Sequence, residues 1–399
     1  MELKRIYLDN NATTPVHPEV LEAMLPYFKE IFGNPSSIHW FGQQAHIAVE
    51  NAREKVAELI GADDTSEIIF TSGGTEANNL AIKGVAFALK EKGNLIITSK
   101  IEHHAVLNPC KNLEKFGFEI TYLPVDKYGI VDLEALKKSI SPKTILVSIM
   151  FANNEVGTIQ PIEEISKICQ KNGVYFHTDA VQAVGKIHID VKKLGINMLS
   201  LSAHKIYGPK GVGALYIKKG TRIQPILHGG HHEKNRRAGT ENVSGIVGLG
   251  KACEIAKRDI EQEIKNLTYL RDKLWKGISE KIDNVQLNGH PEKRLPNTLN
   301  VSFKYIEGES ILLNLDLKGV AVSTGSACTS GTLEPSHVLE AMGVDPVFSQ
   351  GAIRFSLGRE NTEEEIDYVV NILPEIVSKL RAMSPLYHTQ NRQSKKSRK

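Results

Sequence analysis

The sequence predicts an α/β fold, with a large domain built on a mostly parallel seven-stranded sheet and a smaller α+β domain after it. Three observations predict it. Between about residues 67 and 218, short β-branched runs alternate with segments of helical length, the pattern of strands joined by crossover helices. Several of these runs are apolar throughout, Thr144-Ile-Leu-Val-Ser-Ile-Met150 above all, as expected of strands buried on both faces. Beyond a long helical stretch the pattern then breaks into isolated strands and shorter helices, and 399 residues suffice to bury more than one core.

In chain order, the loop Asp9–Pro15 comes first, rich in polar residues and closed by proline. The strands of the large sheet are expected at Glu67–Thr71, Asn94–Thr98, Glu119–Val125, Thr144–Met150, Val174–Thr178, Met198–Ser202 and Val212–Ile217. In such an open sheet a ligand lies beyond the carboxyl ends of the strands. A second special loop, His228–Asn242, leads into a long helix from about Glu241 to Lys276. The smaller domain then reads Val285–Leu287, Thr298–Phe303, a helix near Glu309–Leu317, Val320–Ser323, Ile353–Leu357 and a final helix from Thr362. Its loop Thr324–Pro335 is the third stretch too rich in chemistry-capable residues to be a mere connector. The expected domains are 15–258 for the large one, 1–14 with 259–384 for the small one, and 385–399 for a basic tail expected to be disordered.

Composition narrows the classes of function. The N-terminus carries charges and no apolar signal core, and nowhere do 18 apolar residues follow one another, so a cytoplasmic protein with no membrane span is expected. The four cysteines, Cys110, Cys169, Cys253 and Cys328, form no C-x-x-C pair, which argues against a disulfide framework or a cysteine-built zinc site. The formal charge of +3 comes from the tail, where Arg392, Lys395, Lys396, Arg398 and Lys399 cluster; without them acidic side chains outnumber basic ones. Such a tail could touch RNA or an acidic partner, but a solubilising end is the simpler reading.

The residues that carry chemistry sit after the predicted strands. Lys205, in Ser200-Leu-Ser-Ala-His-Lys-Ile-Tyr-Gly-Pro-Lys-Gly211, is placed where a buried amine could form a Schiff base with an aldehyde cofactor. Alone it would read as a surface lysine. Asp179 ends the preceding strand and could face the pyridine nitrogen of pyridoxal 5′-phosphate (PLP), which must stay protonated for the ring to draw electrons; otherwise it is a strand-end turn or helix cap. Ser72-Gly-Gly-Thr75 lies between a strand and a helix, where free N–H groups could seat a phosphate. His103, in Ile101-Glu-His-His104, could stack on the ring and carry a proton. The paired histidines, with His228, His231 and His232, could also suggest a metal, but no acidic or thiol ligand stands at a recognised spacing.

In these residues the chain resembles the NifS/IscS-type cysteine desulfurases, class-V aminotransferase-like PLP enzymes of the aspartate-aminotransferase fold type I. The likeness runs from Tyr7-Leu-Asp-Asn-Asn-Ala-Thr-Thr14 through Gly33-Asn-Pro-Ser36, Thr71–Asn79, Asn153-Asn-Glu-Val-Gly157, Ala203–Gly211 and Arg237–Val243 to Arg354–Arg359. It implies Lys205 as the Schiff-base lysine, Asp179 on the pyridine nitrogen, His103 on the ring, and Gln182 with Asn154 near the ring oxygen and the substrate. Gly74, Thr75, Ser202 and His204 would hold the phosphate. Thr240 would reach the phosphate of a neighbouring subunit in a homodimer, and Arg354 would clamp the substrate carboxylate. One segment departs from the family: after Gly229-Gly230, a Gly-Gln-Glu-rich stretch is replaced by His231-His-Glu-Lys-Asn-Arg236.

The stretch Ser323-Thr-Gly-Ser-Ala-Cys-Thr-Ser-Gly-Thr-Leu-Glu-Pro335 separates this group from aminotransferases. Sulfur transfer needs a thiolate that travels, and the small residues around Cys328 could not build a core. The other three cysteines read as buried hydrophobes. The resemblance implies that sulfur leaves L-cysteine as a persulfide on Cys328, with L-alanine as product. The sulfur would go to an iron–sulfur scaffold protein or a tRNA-thiolation acceptor. No resident metal is expected, though a transient iron–sulfur cluster could pass through Cys328. Two rivals stand beside this reading: a selenocysteine lyase or other cysteine-derivative lyase on the same fold, and a non-catalytic sulfur-relay scaffold.

Overall fold

The computed structural model describes residues 5–324, 336–385 and 387. Among the described residues twelve strands run in chain order: β1 (Ile6–Tyr7), β2 (Ile68–Thr71), β3 (Leu95–Ser99), β4 (Glu119–Leu123), β5 (Thr144–Ser148), β6 (Tyr175–Asp179), β7 (Met198–Ser202), β8 (Gly213–Ile217), β9 (Val285–Asn288), β10 (Thr298–Phe303), β11 (Val320–Ala321) and β12 (Ala352–Ser356). Seven form one sheet in the order β2-β8-β7-β6-β5-β3-β4. The central strands β3, β5, β6 and β7 pair in parallel, so their carboxyl ends share one edge of the sheet. Within this sheet, among the described residues, only β8 runs against both its neighbours. Its link to β7, Ala203–Val212, is too short for a crossover helix, which needs about a dozen residues or more.

The burial pattern explains the sequence pattern. Every residue of β2, β3, β5, β7 and β8 is buried, whereas the edge strand β4 is partly exposed. The other edge strand, β2, would show a bare Phe70 N–H and Ile68 C=O to its open side. Both are taken by a buried ion pair instead. Glu233 accepts from the Phe70 N–H at 2.8 Å, and Arg53 donates to the Ile68 carbonyl at 2.8 Å. The two side chains meet in a two-pronged contact with both bonds at 2.8 Å. The unusual segment His231–Arg236 is thus the turn that delivers Glu233, and Glu233, Lys234 and Asn235 adopt φ of 44°, 56° and 62° to do so.

A second core gathers around the antiparallel sheet β12-β10-β9 and the parallel pair β1–β11. The helix Val243–Lys281, about 58 Å long at 1.5 Å per residue, belongs to both cores. Ile246, Leu249, Ala252, Cys253 and Ile255 pack into the first core, and Leu267, Leu270, Leu274 and Ile278 into the second. The domain boundary expected at residue 258 falls inside this helix. Among the described residues no helix is long and apolar enough to cross a membrane.

Candidate active site

The carboxyl edge of the large sheet collects the chemistry-bearing residues because each parallel strand releases its chain there. After β7, Ala203–Lys205 forms a single tight turn. The Lys205 amine donates to two backbone carbonyls, Asn11 O at 2.5 Å and Ala12 O at 2.6 Å. Burial, with the nearby Arg354 charge, pushes its pKa down to about 8, while Asp9 and Asp179 pull the other way. The N-terminal loop that offers these carbonyls is fastened to the lysine segment. Thr14 donates its N–H and hydroxyl to His204 O, and its hydroxyl accepts from the Tyr207 N–H.

Asp179 closes β6, next to the lysine strand and in parallel register with it. One carboxylate oxygen accepts from the Asn78 amide at 2.7 Å and the other from the Val181 N–H at 3.0 Å. The strand-end turn thus fixes the carboxylate in place. After β2, Gly73 adopts φ 150°, a backbone conformation that L side chains rarely adopt, and starts the helix Gly74–Ala88 without a side-chain cap. A Cβ on Gly74 would lie 2.6 Å from a Val181 methyl. Thr75 sits in the first turn of this helix. Glu76 accepts from the Ser72 N–H and pairs with Arg237 at 2.8 Å. Ser202 ends β7 beside Gly73 and Gly74, and His204 shares a 3.1 Å hydrogen bond with the Thr13 hydroxyl. Burial and the Lys205 charge push the His204 pKa down to about 4.

His103 caps the helix His104–Glu114 by accepting from the Ala105 N–H through Nδ1 at 3.1 Å. Its neutral ring therefore carries the proton on Nε2. Loss of hydration lowers its pKa, opposed by the charge of Asp179. Arg354, in β12, is buried; it donates to the Asp9 carboxylate at 2.7 Å and to Asn154 O at 3.1 Å. Asn154 reaches the site through this carbonyl, which also accepts from Asn11. Gln182 donates to Asn11 O at 2.9 Å and accepts from Lys186 at 2.9 Å.

Lys205, Asp179, His103, Gln182, Asn154, Arg354, Ser202, His204, Gly74 and Thr75 thus lie around one edge, whereas Thr240 lies exposed in the His228–Asn242 loop. Cys328 lies outside the described residues. Cys110, Cys169 and Cys253 are buried free thiols, and burial pushes Cys110 and Cys169 up to about 12. Among the described residues no group of three or more His, Cys, Asp or Glu side chains is placed to hold a metal. Sequence reasoning missed Asn11, Asn78, Asp9 and Lys186. Asp9 and Asn11 fall in a loop singled out for its composition and Asn78 in the stretch Thr71–Asn79, but none of the three is assigned a role there; Lys186 carries no local signal.

The chain belongs to the class-V aminotransferases, whose family model matches residues 6–369. Within it, the chain is 60% identical over 382 residues to a protein of Dictyoglomus turgidum named cysteine desulfurase IscS, covering 96% of this chain and 97% of that one. A cysteine desulfurase IscS of Methanosarcina thermophila is 60% identical over 385 residues, covering 96% and 95% of the two chains. A solved structure described as a NifS-like protein superposes with a TM-score of 0.89 at 46% identity, over 94% of this chain and 100% of that one.

PLP, the cofactor of this family, demands an amine for its aldehyde, a carboxylate for its ring nitrogen and an anion seat. The residues present fit those demands. Lys205 has a lowered pKa, Asp179 has both oxygens held, and the uncapped helix N-terminus at Gly73–Gly74 has no Cβ to fill its approach.

Proposed function

We propose that this chain is a PLP-dependent cysteine desulfurase, which takes sulfur from L-cysteine as a persulfide on Cys328 and releases L-alanine. The observation that carries the reading is the convergence of Lys205, Asp179, His103 and the Gly74–Ala88 helix terminus on one sheet edge. When bound, PLP supplies an electron sink that weakens bonds next to the substrate nitrogen.

The chain's own residues do the rest. Lys205, with a pKa near 8, has a substantial neutral fraction at physiological pH and serves as nucleophile and proton carrier. Asp179, pinned by Asn78 and Val181, keeps the ring nitrogen protonated. Gly74, Thr75, Ser202 and His204 would seat the phosphate, and His103 would lie against the ring and hold or move a proton through Nε2. Gln182 serves the ring oxygen. Arg354 and Asn154 would orient the substrate carboxylate, with Asp9 holding one terminal nitrogen of the guanidinium. The Cys328 thiolate bonds to the substrate sulfur as the carbon–sulfur bond breaks. Its three buried counterparts are poor thiolates, because burial raises each of their pKa values.

Two copies of the chain complete the enzyme, with Thr240 of each reaching the other's phosphate seat. An exposed apolar band supports a dimer: Leu21, Leu25, Phe28, Phe32, Trp40 and Phe41 all face solvent in the single chain. A cytoplasmic setting and an iron–sulfur scaffold or tRNA-thiolation protein as sulfur acceptor go with this reading. The test is direct. Purified protein should be yellow, convert L-cysteine to L-alanine, and carry a sulfur adduct that maps to Cys328. A colourless protein, or an adduct on Cys110, Cys169 or Cys253, would overturn it.

A further inference from the structure

Four residues beyond Gln182, Lys186 reads in the sequence as an ordinary surface lysine. In the fold it is 9% exposed, and among the described residues no carboxylate is hydrogen-bonded to it. Its amine donates to two neutral acceptors, Gln182 Oε1 at 2.9 Å and Asn11 Oδ1 at 3.2 Å. The charged groups that face it are Lys205, Arg354 and Glu263. A buried lysine is costly unless its amine is hydrogen-bonded, and these two bonds run to amide oxygens.

What they fix is the direction of an amide. Gln182 has one accepting and one donating end, and a donor on its oxygen forces the nitrogen to the opposite side. There Nε2 donates to Asn11 O at 2.9 Å, the same carbonyl that receives the Lys205 amine. The N–H end of Gln182 and the Lys205 amine are therefore presented side by side. Asn11 is oriented in the same way. Its Oδ1 accepts from Lys186 and Asn297, so its nitrogen donates to Asn154 O and the Thr298 hydroxyl.

We propose that Lys186 is a positioning residue, which holds the Gln182 amide with its donating end toward Lys205 and the cofactor bound there. The inference rests on the PLP reading above and adds a residue to it. A reversed amide would set an acceptor against an electron-rich ring oxygen, raising the energy of the bound cofactor and shifting the titration of its nitrogen.

The test titrates the visible absorption of the cofactor-loaded dimer with pH for wild type, Lys186→Met, Lys186→Gln, Gln182→Leu and the Lys186→Met/Gln182→Leu pair. Lys186→Met should move the midpoint by about half a pH unit or more, in the direction Gln182→Leu moves it. It should lower kcat/KM for L-cysteine about tenfold. In the Gln182→Leu background the same change should cost no more than about twofold, because residues that act through one another are not additive. Lys186→Gln, which keeps an uncharged NH2 group able to donate, should shift the midpoint less. An unmoved midpoint in folded Lys186→Met, or additive losses in the pair, overturns the inference. So does a wild-type midpoint in Gln182→Leu, whether or not the Lys186 variants fold. A wild type without the visible band would sink the functional reading as well; a normal band that Lys186→Met leaves in place sinks this inference alone.

Discussion

Replacing Glu233 with glutamine keeps its size and removes the charge that closes the open side of β2. In the native chain the Glu233 side chain is 2% exposed and that of Arg53 4%, so neither is screened by water. Removing one partner of such a buried pair costs about 3–5 kcal/mol, mostly because the other charge is left uncompensated. Arg53 keeps a second contact, Nε to the half-exposed Glu50 at 3.0 Å, which places the expected loss near the low end, about 3 kcal/mol. The strained turn over Glu233–Asn235 loses its anchor as well, and Arg237 sits just beyond it on Glu76. Glu233→Gln should therefore lower the urea midpoint by an amount worth about 3 kcal/mol. It should speed hydrogen exchange at the Phe70 amide about 100-fold and weaken cofactor binding. A loss below about 1 kcal/mol, typical of a surface change, or unaltered exchange at Phe70, would refute the reasoning.

Lys205→Ala should abolish the borohydride-fixed cofactor label, and peptide mapping of the reduced wild type should find the label on Lys205 and on no other lysine. Burial raises Glu102 to about 8 and Glu155 to about 7, each above the ordinary carboxylate value. Their protonated forms favour the folded chain, so the stability they supply is complete below about pH 4.5 and is lost as pH rises toward 8. Unfolding free energies from urea titrations across pH 4.5–8 should fall less steeply in Glu102→Gln and Glu155→Gln than in wild type, by amounts on the order of a few kcal/mol; parallel profiles would show that burial does not perturb them. Cys328→Ala should retain the cofactor, because no residue that would hold it lies in 324–335, yet form no persulfide by mass spectrometry and lose nearly all sulfide release.

What the sequence made legible follows from periodicity. Apolar runs such as Thr144–Ser148 declare buried strands, and strand–helix alternation puts the ends of β3, β6 and β7 on one edge, so the pattern alone groups His103, Asp179 and Lys205. Pairings between distant segments carry no such signal. The Lys205 amine finds Asn11 across 194 positions of chain, and nothing local to either residue announces the other. Lys186 and Glu233 were hidden for a further reason. A charged side chain is read as solvated unless its partner is known, and their partners, Gln182 with Asn11 and Arg53 with the β2 backbone, are supplied only by the fold. The antiparallel setting of β8 falls between these cases: its strand is plain in the sequence, while its direction depends on the short Ala203–Val212 link.

The helix Val243–Lys281 gives the chain a property that neither core has by itself. One continuous rod walls both, so melting either core bares an apolar stripe on a helix that the other still grips. The two cores are consequently coupled into a single cooperative unit, and a chain severed near residue 258 would leave Leu267, Leu270 and Leu274 on a fragment that no longer shares a helix with the large sheet.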